Sequence, residues 1–441
     1  MENEKKNPAG LLPMLVFLVL YLGLGIIFEY VMKIEMGFYN IPIVLIILVA
    51  LLVACVQNRA VPLDEKLVIM GKGIGDKNII TMLIIFMMAG IFVGVVGRSS
   101  AESVAYFVLS LIPARFAVVV LFVVSAFVSL AMGTSVGTIT LLMPIGCAIS
   151  QGSGFSIAMC VGAVVGGSMF GDNLSFISDT TIAACNGQGC KMNDKFKENF
   201  KIALPAAIVT AVITLVVSMN VSISDAISGE YNMILIIPYI IVLVAGIIGI
   251  NVFWVLLLGI VSGSAIMLCT GSVNLPDMIA NMGVGIEGMY ETSMVAVFVA
   301  ALSALMAANG GFNALIDIIQ RTFKGKKGGM IGIGILVAIM DIATANNTVA
   351  IIISNPIAHK IAQNRGISGR RTASLLDTFS CIAQGVIPYG AQMLVALTVC
   401  ETMGIAVSGT TVMKYLWYPY MLLISSLVFI FMIKNTNDSK Q

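Results

Sequence analysis

Apolar runs recur from one end of the chain to the other. Each approaches the roughly 20 residues a helix needs to cross a bilayer. The first run, residues 11–28, follows Lys5 and Lys6 and has no small-residue cleavage site, so it reads as a retained span and not a signal peptide. Four polar stretches interrupt runs that are otherwise apolar: GTSVGT (133–138), GDNLSFISDTT (171–181), DIATANNT (341–348) and GVIPYGAQ (385–392). Broken backbone at membrane depth is tolerable only inside protein or along a cavity. The pattern predicts an all-α polytopic membrane protein of about ten spans and two hairpins.

The interruptions come in an order that repeats. MGTSVGTITLLMPIGCAIS (132–150) resembles IATANNTVAIIISNPIAHK (342–360), each with a polar cluster, an apolar run and a proline, Pro144 or Pro356. Some thirty residues further on come GDNLS (171–175) and PYGAQ (388–392), and upstream lie two short amphipathic segments, 97–113 and 309–325. An offset near 210–220 predicts two homologous halves. Residues 1–220 would hold a hairpin at 115–150 and a broken span at 155–185. Residues 221–441 would hold a hairpin at 329–358 and a broken span at 372–400.

Basic residues collect in cytoplasmic loops of membrane proteins. Segments 1–10, 57–78, 185–201, 310–328, 359–371 and 434–441 carry 20 of the 24 Lys and Arg residues. They share one side if each half makes five crossings and its hairpin returns to its own side. Both termini are then cytoplasmic, in a multi-pass protein of the cell membrane, and the halves are inverted relative to each other, as in many secondary transporters. Charge cannot separate re-entrant hairpins from pairs of full spans; the arm 136–150, only about 15 residues, favours re-entry.

Composition narrows the class further. The chain is 59% hydrophobic and 10% charged, with a mean hydropathy of +1.03, against about 25% charge in soluble domains. The net charge of +2 and the absence of a basic, aromatic-rich stripe give no sign of nucleic acid. The eight cysteines form no CxxC pair, and CNGQGC (185–190) reads as reduced thiols and not a metal knuckle. The one histidine, His359, falls in a charged loop. HExxH and GxSxG are absent, and GKGIGDK (71–77) lacks a P-loop ending. No enzyme and no cofactor are expected beyond transported Na+ and H+. An intramembrane protease with paired aspartates is the enzymatic alternative, but the Asn, Ser and Thr around these aspartates suit ion coordination better.

Glycine and hydroxyl residues in membrane helices commonly serve helix packing. Carboxylates at bilayer depth cost several kcal/mol and need another reason. Asp172 is the first candidate to bind Na+ and Asp179 the second, the alternative for Asp179 being a helix cap in SDTT. Asp377 and Asp341 are further candidates. Asn173, Ser175, Ser178, Thr180, Thr134, Ser135, Asn346, Asn347, Thr348, Tyr389 and Gln392 supply neutral oxygen around them. Asp225, Asp277, Glu230 and Glu287 read as solvated outer-loop residues.

GGSMFGDNLSFISDTTIAA (166–184), with LPAA at 204–207, GTSVGT and IPYGAQ, resembles the NhaC-type sodium/proton antiporter family over roughly residues 80–430. Asn173–Phe176 depart from it where a histidine-containing motif is expected, which marks a divergent member. The resemblance implies sodium/proton exchange, with an elevator movement against a homodimeric scaffold. The rival reading is a sodium- or proton-coupled carrier of a small organic anion or amino acid. Against it, every arginine (59, 98, 115, 321, 365, 370, 371) lies in a predicted loop or at a span boundary, none at a break. A channel would need a continuous pore.

Overall fold

A computed structural model of the chain describes residues 7–34, 41–176, 178–221, 231–248 and 250–432. It is helical throughout, with no strand among the described residues. The first half contains α1 (Leu12–Ile26), α2 (Ile43–Val56), α3 (Leu63–Ile74), α4 (Lys77–Leu111), α5 (Ala117–Met132), α6 (Ser135–Ser153), α7 (Ile157–Leu174), α8 (Asp179–Gln188) and α9 (Met192–Met219). The second contains α10 (Met233–Ile247), α11 (Val252–Cys269), α12 (Leu275–Gly288), α13 (Tyr290–Ala308), α14 (Gly311–Thr322), α15 (Gly325–Thr344), α16 (Asn347–Arg365), α17 (Gly369–Val386), α18 (Ala391–Thr402), α19 (Gly409–Met413) and α20 (Trp417–Met432). The order repeats: two spans, a short helix, a third span, a hairpin (α5–α6 or α15–α16), an interrupted helix (α7–α8 or α17–α18) and a final span.

Ten helical stretches are long and apolar enough to cross a membrane. Three of these are the hairpin arms α5, α6 and α15, while the shorter apolar helices Ile43–Val56, Met233–Ala245 and Trp417–Met432 fill span positions in the repeat. Length therefore does not identify the hairpins. The arm α6 is 19 residues, longer than the segment 136–150 read from sequence, because Ser150–Ser153 continue the helix. Convergence decides instead: the tips of both hairpins line one cavity together with both helix breaks. Tips that had crossed to opposite faces could not meet. Each half then makes five crossings, an odd number, so the second half starts from the opposite face and the repeats are inverted.

The halves interlock by exchanging equivalent contacts. Helix α12 packs on α4 and α3 on α13; α6 packs on α18 and α16 on α8. Gly90 of α4 and Gly285 of α12 approach so closely that a Cβ on either would collide with the other's backbone, the close packing that small residues allow in membranes.

The segments rich in Lys and Arg gather at one end of the molecule. Asn7 N donates to Gly310 O (3.1 Å), Asn58 Nδ2 to Asn309 Oδ1 (3.2 Å), Arg365 Nη2 to Phe323 O (3.4 Å) and Lys327 Nζ to Phe431 O (2.7 Å). Arg370 lies 3.4 Å from Glu198. Some local readings change. Residues 97–113 largely continue α4, a 35-residue helix, whereas α14 is set off by Gly310 at φ 78°. Asp277 and Glu287 are exposed but sit on α12 and not in a loop, and His359 lies within α16, its Nε2 2.9 Å from Gln363 Nε2. Asp225 and Glu230 lie outside the described residues.

Cys147 of α6 and Cys400 of α18 place their sulfurs 3.5 Å apart across the two halves. Mild oxidation followed by digestion and mass spectrometry is expected to return a Cys147–Cys400 linked peptide. Its absence after exhaustive oxidation, with both peptides recovered free, contradicts the exchanged packing of α6 on α18.

Candidate ion-binding site

Both hairpin tips are left-handed turns followed by a capped helix. Gly133 (φ 70°) closes α5, and extended Thr134 caps α6, its Oγ1 accepting from Gly137 N at 3.4 Å. In the second half Ala345 holds the equivalent turn at φ 46°, a conformation costing a residue with a Cβ about 1–3 kcal/mol. Asn346 then caps α16, its Oδ1 accepting from Val349 N at 3.0 Å. The breaks are as well defined. Helix α7 passes into extended backbone at Ser175 and α8 restarts at Asp179; α17 gives way at Ile387 and α18 restarts at Ala391. A constant offset of 212 residues relates Gly133 to Ala345, Pro144 to Pro356, Asp172 to Gln384 and Thr180 to Gln392.

Tips, breaks and the start of α4 enclose a cavity of about 80 Å³. Of the residues singled out in the sequence, Asp172, Ser178, Asp179, Thr180, Thr134, Ser135, Asn346, Asn347, Thr348 and Gln392 line it. Asp172 is buried, 5% exposed. Its Oδ2 accepts from Ser135 Oγ (2.6 Å) and Ser135 N (3.3 Å) at the start of α6, and its Oδ1 from Ser178 Oγ (2.5 Å). A helix N-terminus favours an anion, so the first hairpin and the first break hold this carboxylate between them. No Lys or Arg among the described residues pairs with it. Asp179, by contrast, is exposed at the cavity wall.

The model of the Na+/H+ antiporter family matches this sequence twice, over residues 9–219 and 220–434. The chain belongs to the Na+/H+ antiporter family. The double match follows the repeat seen in the fold. The chain is also similar to an uncharacterised protein of Haemophilus influenzae, 37% identical over 84 residues, which is 19% of this chain and 16% of that protein. Family and architecture together make it a multi-pass membrane protein of the lipid bilayer.

What surrounds the cavity matters as much as its lining. Gln392 Nε2 donates to Ser135 Oγ (3.0 Å), and Gln384 Nε2 donates both to Gln392 Oε1 (2.7 Å) and to Ala345 O (3.1 Å). One hydrogen-bonded chain thus runs from the second tip through the second break to Ser135 and Asp172. Gln384 stands one residue before the motif GVIPYGAQ; its place as the 212-residue partner of Asp172 is the signal in the sequence that points to it.

The remaining candidates lie elsewhere. Asn173 turns away from the cavity, its carbonyl accepting from Lys195 Nζ (2.8 Å) and Asn199 Nδ2 (3.0 Å). Asp377 is fully buried in an ion pair with Lys195. Ser175 is buried at the end of α7, and Asp341 is fully buried one turn before the second tip. Tyr389, whose hydroxyl donates to Ile342 O at 2.8 Å, lines a small neighbouring cavity of about 10 Å³ with Thr292 and Leu394. Those two residues also line a cavity of about 260 Å³ bearing Glu291 and Glu401, at the end away from the basic segments.

Lys195 escapes a reading of the sequence because it stands among the lysines of a loop-like segment. Only its burial, 1% exposed, sets it apart. Among the described residues there is no cluster of three or more His, Cys, Asp or Glu that could hold a metal.

Ser135→Ala removes the hydroxyl that donates to Asp172 and receives Gln392. A hydrogen bond to a charged group is worth about 1.5–3 kcal/mol, and a loss of that order is expected in unfolding measured in detergent at neutral pH. An unchanged midpoint contradicts the contact.

Proposed function

We propose that the chain is a divergent NhaC-type antiporter that exchanges Na+ for H+, with Asp172 as the carboxylate for which the two ions compete. The single observation carrying this reading is a buried carboxylate on a cavity where both tips and both breaks meet, with donors but no cation beside it. Sodium requires the ionised carboxylate, so binding it displaces a proton. Hydroxyl and amide oxygens of Thr134, Ser178, Thr180, Asn347 and Gln392 complete the ion's surroundings. Asp179, exposed at the wall, draws cations toward the cavity and is the second choice as ligand.

Opening the cavity alternately to the two faces then gives antiport with no further chemistry. The membrane is the cytoplasmic one and both termini are cytoplasmic, a reading supported by the basic segments gathered at one end. Residues 1–220 and 221–441 are the two repeats, and movement is of the elevator type on a dimeric scaffold.

A cavity of about 80 Å³ suits an ion with a few waters. It is several-fold below the roughly 300–1,000 Å³ typical of sites for small organic ligands, and this weighs against the rival carrier.

In proteoliposomes loaded with a pH-sensitive dye, an imposed Na+ gradient is expected to drive proton movement in the wild type. Asp172→Asn is expected to abolish it, and Asp172→Glu to retain a reduced rate. Undiminished exchange by Asp172→Asn removes the assignment. Sodium-driven uptake of a labelled amino acid or dicarboxylate, without proton exchange, favours the rival.

A further inference from the structure

Lys195 is a cation that never leaves. Its side chain is 1% exposed, and its ammonium uses its three protons on three oxygens of different chemistry. They are the carbonyl of Asn173 (2.8 Å), the hydroxyl of Thr181 (2.6 Å) and the carboxylate Oδ2 of Asp377. Carbonyl, hydroxyl and carboxylate are the oxygen ligands that hard cations take.

Asn173 supplies one of the last carbonyls of α7, at the negative end of the helix dipole. Thr181 lies in the first turn of α8, so the ammonium spans the helix break from behind, on the far side from the cavity. One more buried oxygen, Asp377 Oδ1, has no hydrogen-bond donor, while Asn199 turns its amide nitrogen toward Asn173 O and Asp377 Oδ2. The lysine therefore leaves part of an oxygen-rich enclosure unused. The second break has no counterpart, since the residues 212 positions after Thr181 and Lys195 are Met393 and Val407.

We infer that Lys195 occupies a latent second site for a monovalent cation, formed by Asn173 O, Thr181 Oγ1 and Asp377, with its ammonium standing where a sodium ion would otherwise bind. A tethered charge compensates Asp377 permanently and moves with the break without being exchanged. The number of ions taken up from solution is thereby held to those at Asp172. This site is separate from the exchange carboxylate and does not rest on Asp172 being that carboxylate.

Shortening the lysine vacates the enclosure and leaves Asp377 a buried carboxylate without its cation, to be neutralised by sodium or a proton from solution. The test is equilibrium binding of radioactive sodium to purified protein in detergent, for Lys195→Ala and Lys195→Ser, each made in the wild type and in the Asp172→Asn background. One additional Na+ per chain is expected on removing Lys195 in both backgrounds, and that increment should vanish when Asp377→Asn is added. The thermal midpoint of the Lys195 variants is also expected to rise with NaCl more steeply than that of their parents, because a ligand bound only by the folded state stabilises it. Asp172→Asn alone reports on the exchange carboxylate, so failure there is distinguishable from failure of the increment. No increment in either background overturns the inference. So does failure of both Lys195 variants to fold in molar NaCl, since an enclosure with affinity for sodium would be restored by it.

Discussion

Asp172 is a buried carboxylate with hydrogen-bond donors and no partner cation, and the placement of the surrounding elements follows from that. A carboxylate withdrawn from water costs several kcal/mol unless it is compensated. Here compensation comes from the N-terminus of α6, from Ser135 and from Ser178. Supplying those donors requires the tip of the first hairpin to reach the depth of the first break, and Gly133 in a left-handed turn brings it there. Gln392 and Gln384 extend the arrangement to the second half, so the tip at Ala345 is tied to the same carboxylate through side-chain amides. What the protein leaves out, a lysine or arginine at Asp172, is what a transported cation would provide.

The two halves share a frame but not its charge. At corresponding positions stand Asp172 and Gln384, Thr180 and Gln392, Gly133 and Ala345. The frame therefore presents one buried carboxylate to the shared cavity, Asp172, with the exposed Asp179 at its wall. Two of the other buried carboxylates meet cations instead, while Asp341 is fully buried with neither carboxylate oxygen hydrogen-bonded. Lys195 pairs with Asp377, and Glu198 meets Arg370 and Arg371.

The architecture is legible in the sequence because bilayers impose simple rules: apolar length, basic loops and polar breaks. Order and inversion of the repeats follow from those. The site is legible in part. GDNLSFISDTT and GTSVGT name the residues that meet at Asp172, since a polar cluster at membrane depth must line something. Direction within a cluster is not legible. Asn173, adjacent to Asp172, points to the opposite side of the break, and Asp179 faces solvent, because one residue along a helix turns a side chain by about 100°. Lys195 reads as a loop lysine for the reason that makes it unusual, since its fully satisfied burial depends on how the break between α7 and α8 folds back and on α17, an element distant in sequence. Lys66 is hidden in the same way, with its ammonium bound to Cys55 O and Gln57 O at the end of α2.

Proton release on sodium binding tests competition at Asp172 most directly. Purified protein in weakly buffered detergent solution, with the pH followed as NaCl is added, should release about half a proton for each Na+ bound at the titration midpoint and approach one per Na+ at more acid pH. The apparent Na+ affinity should fall about tenfold per pH unit on the acid side. Asp172→Asn should release none. Sodium binding without proton release, or release that persists in Asp172→Asn, contradicts exchange at this carboxylate.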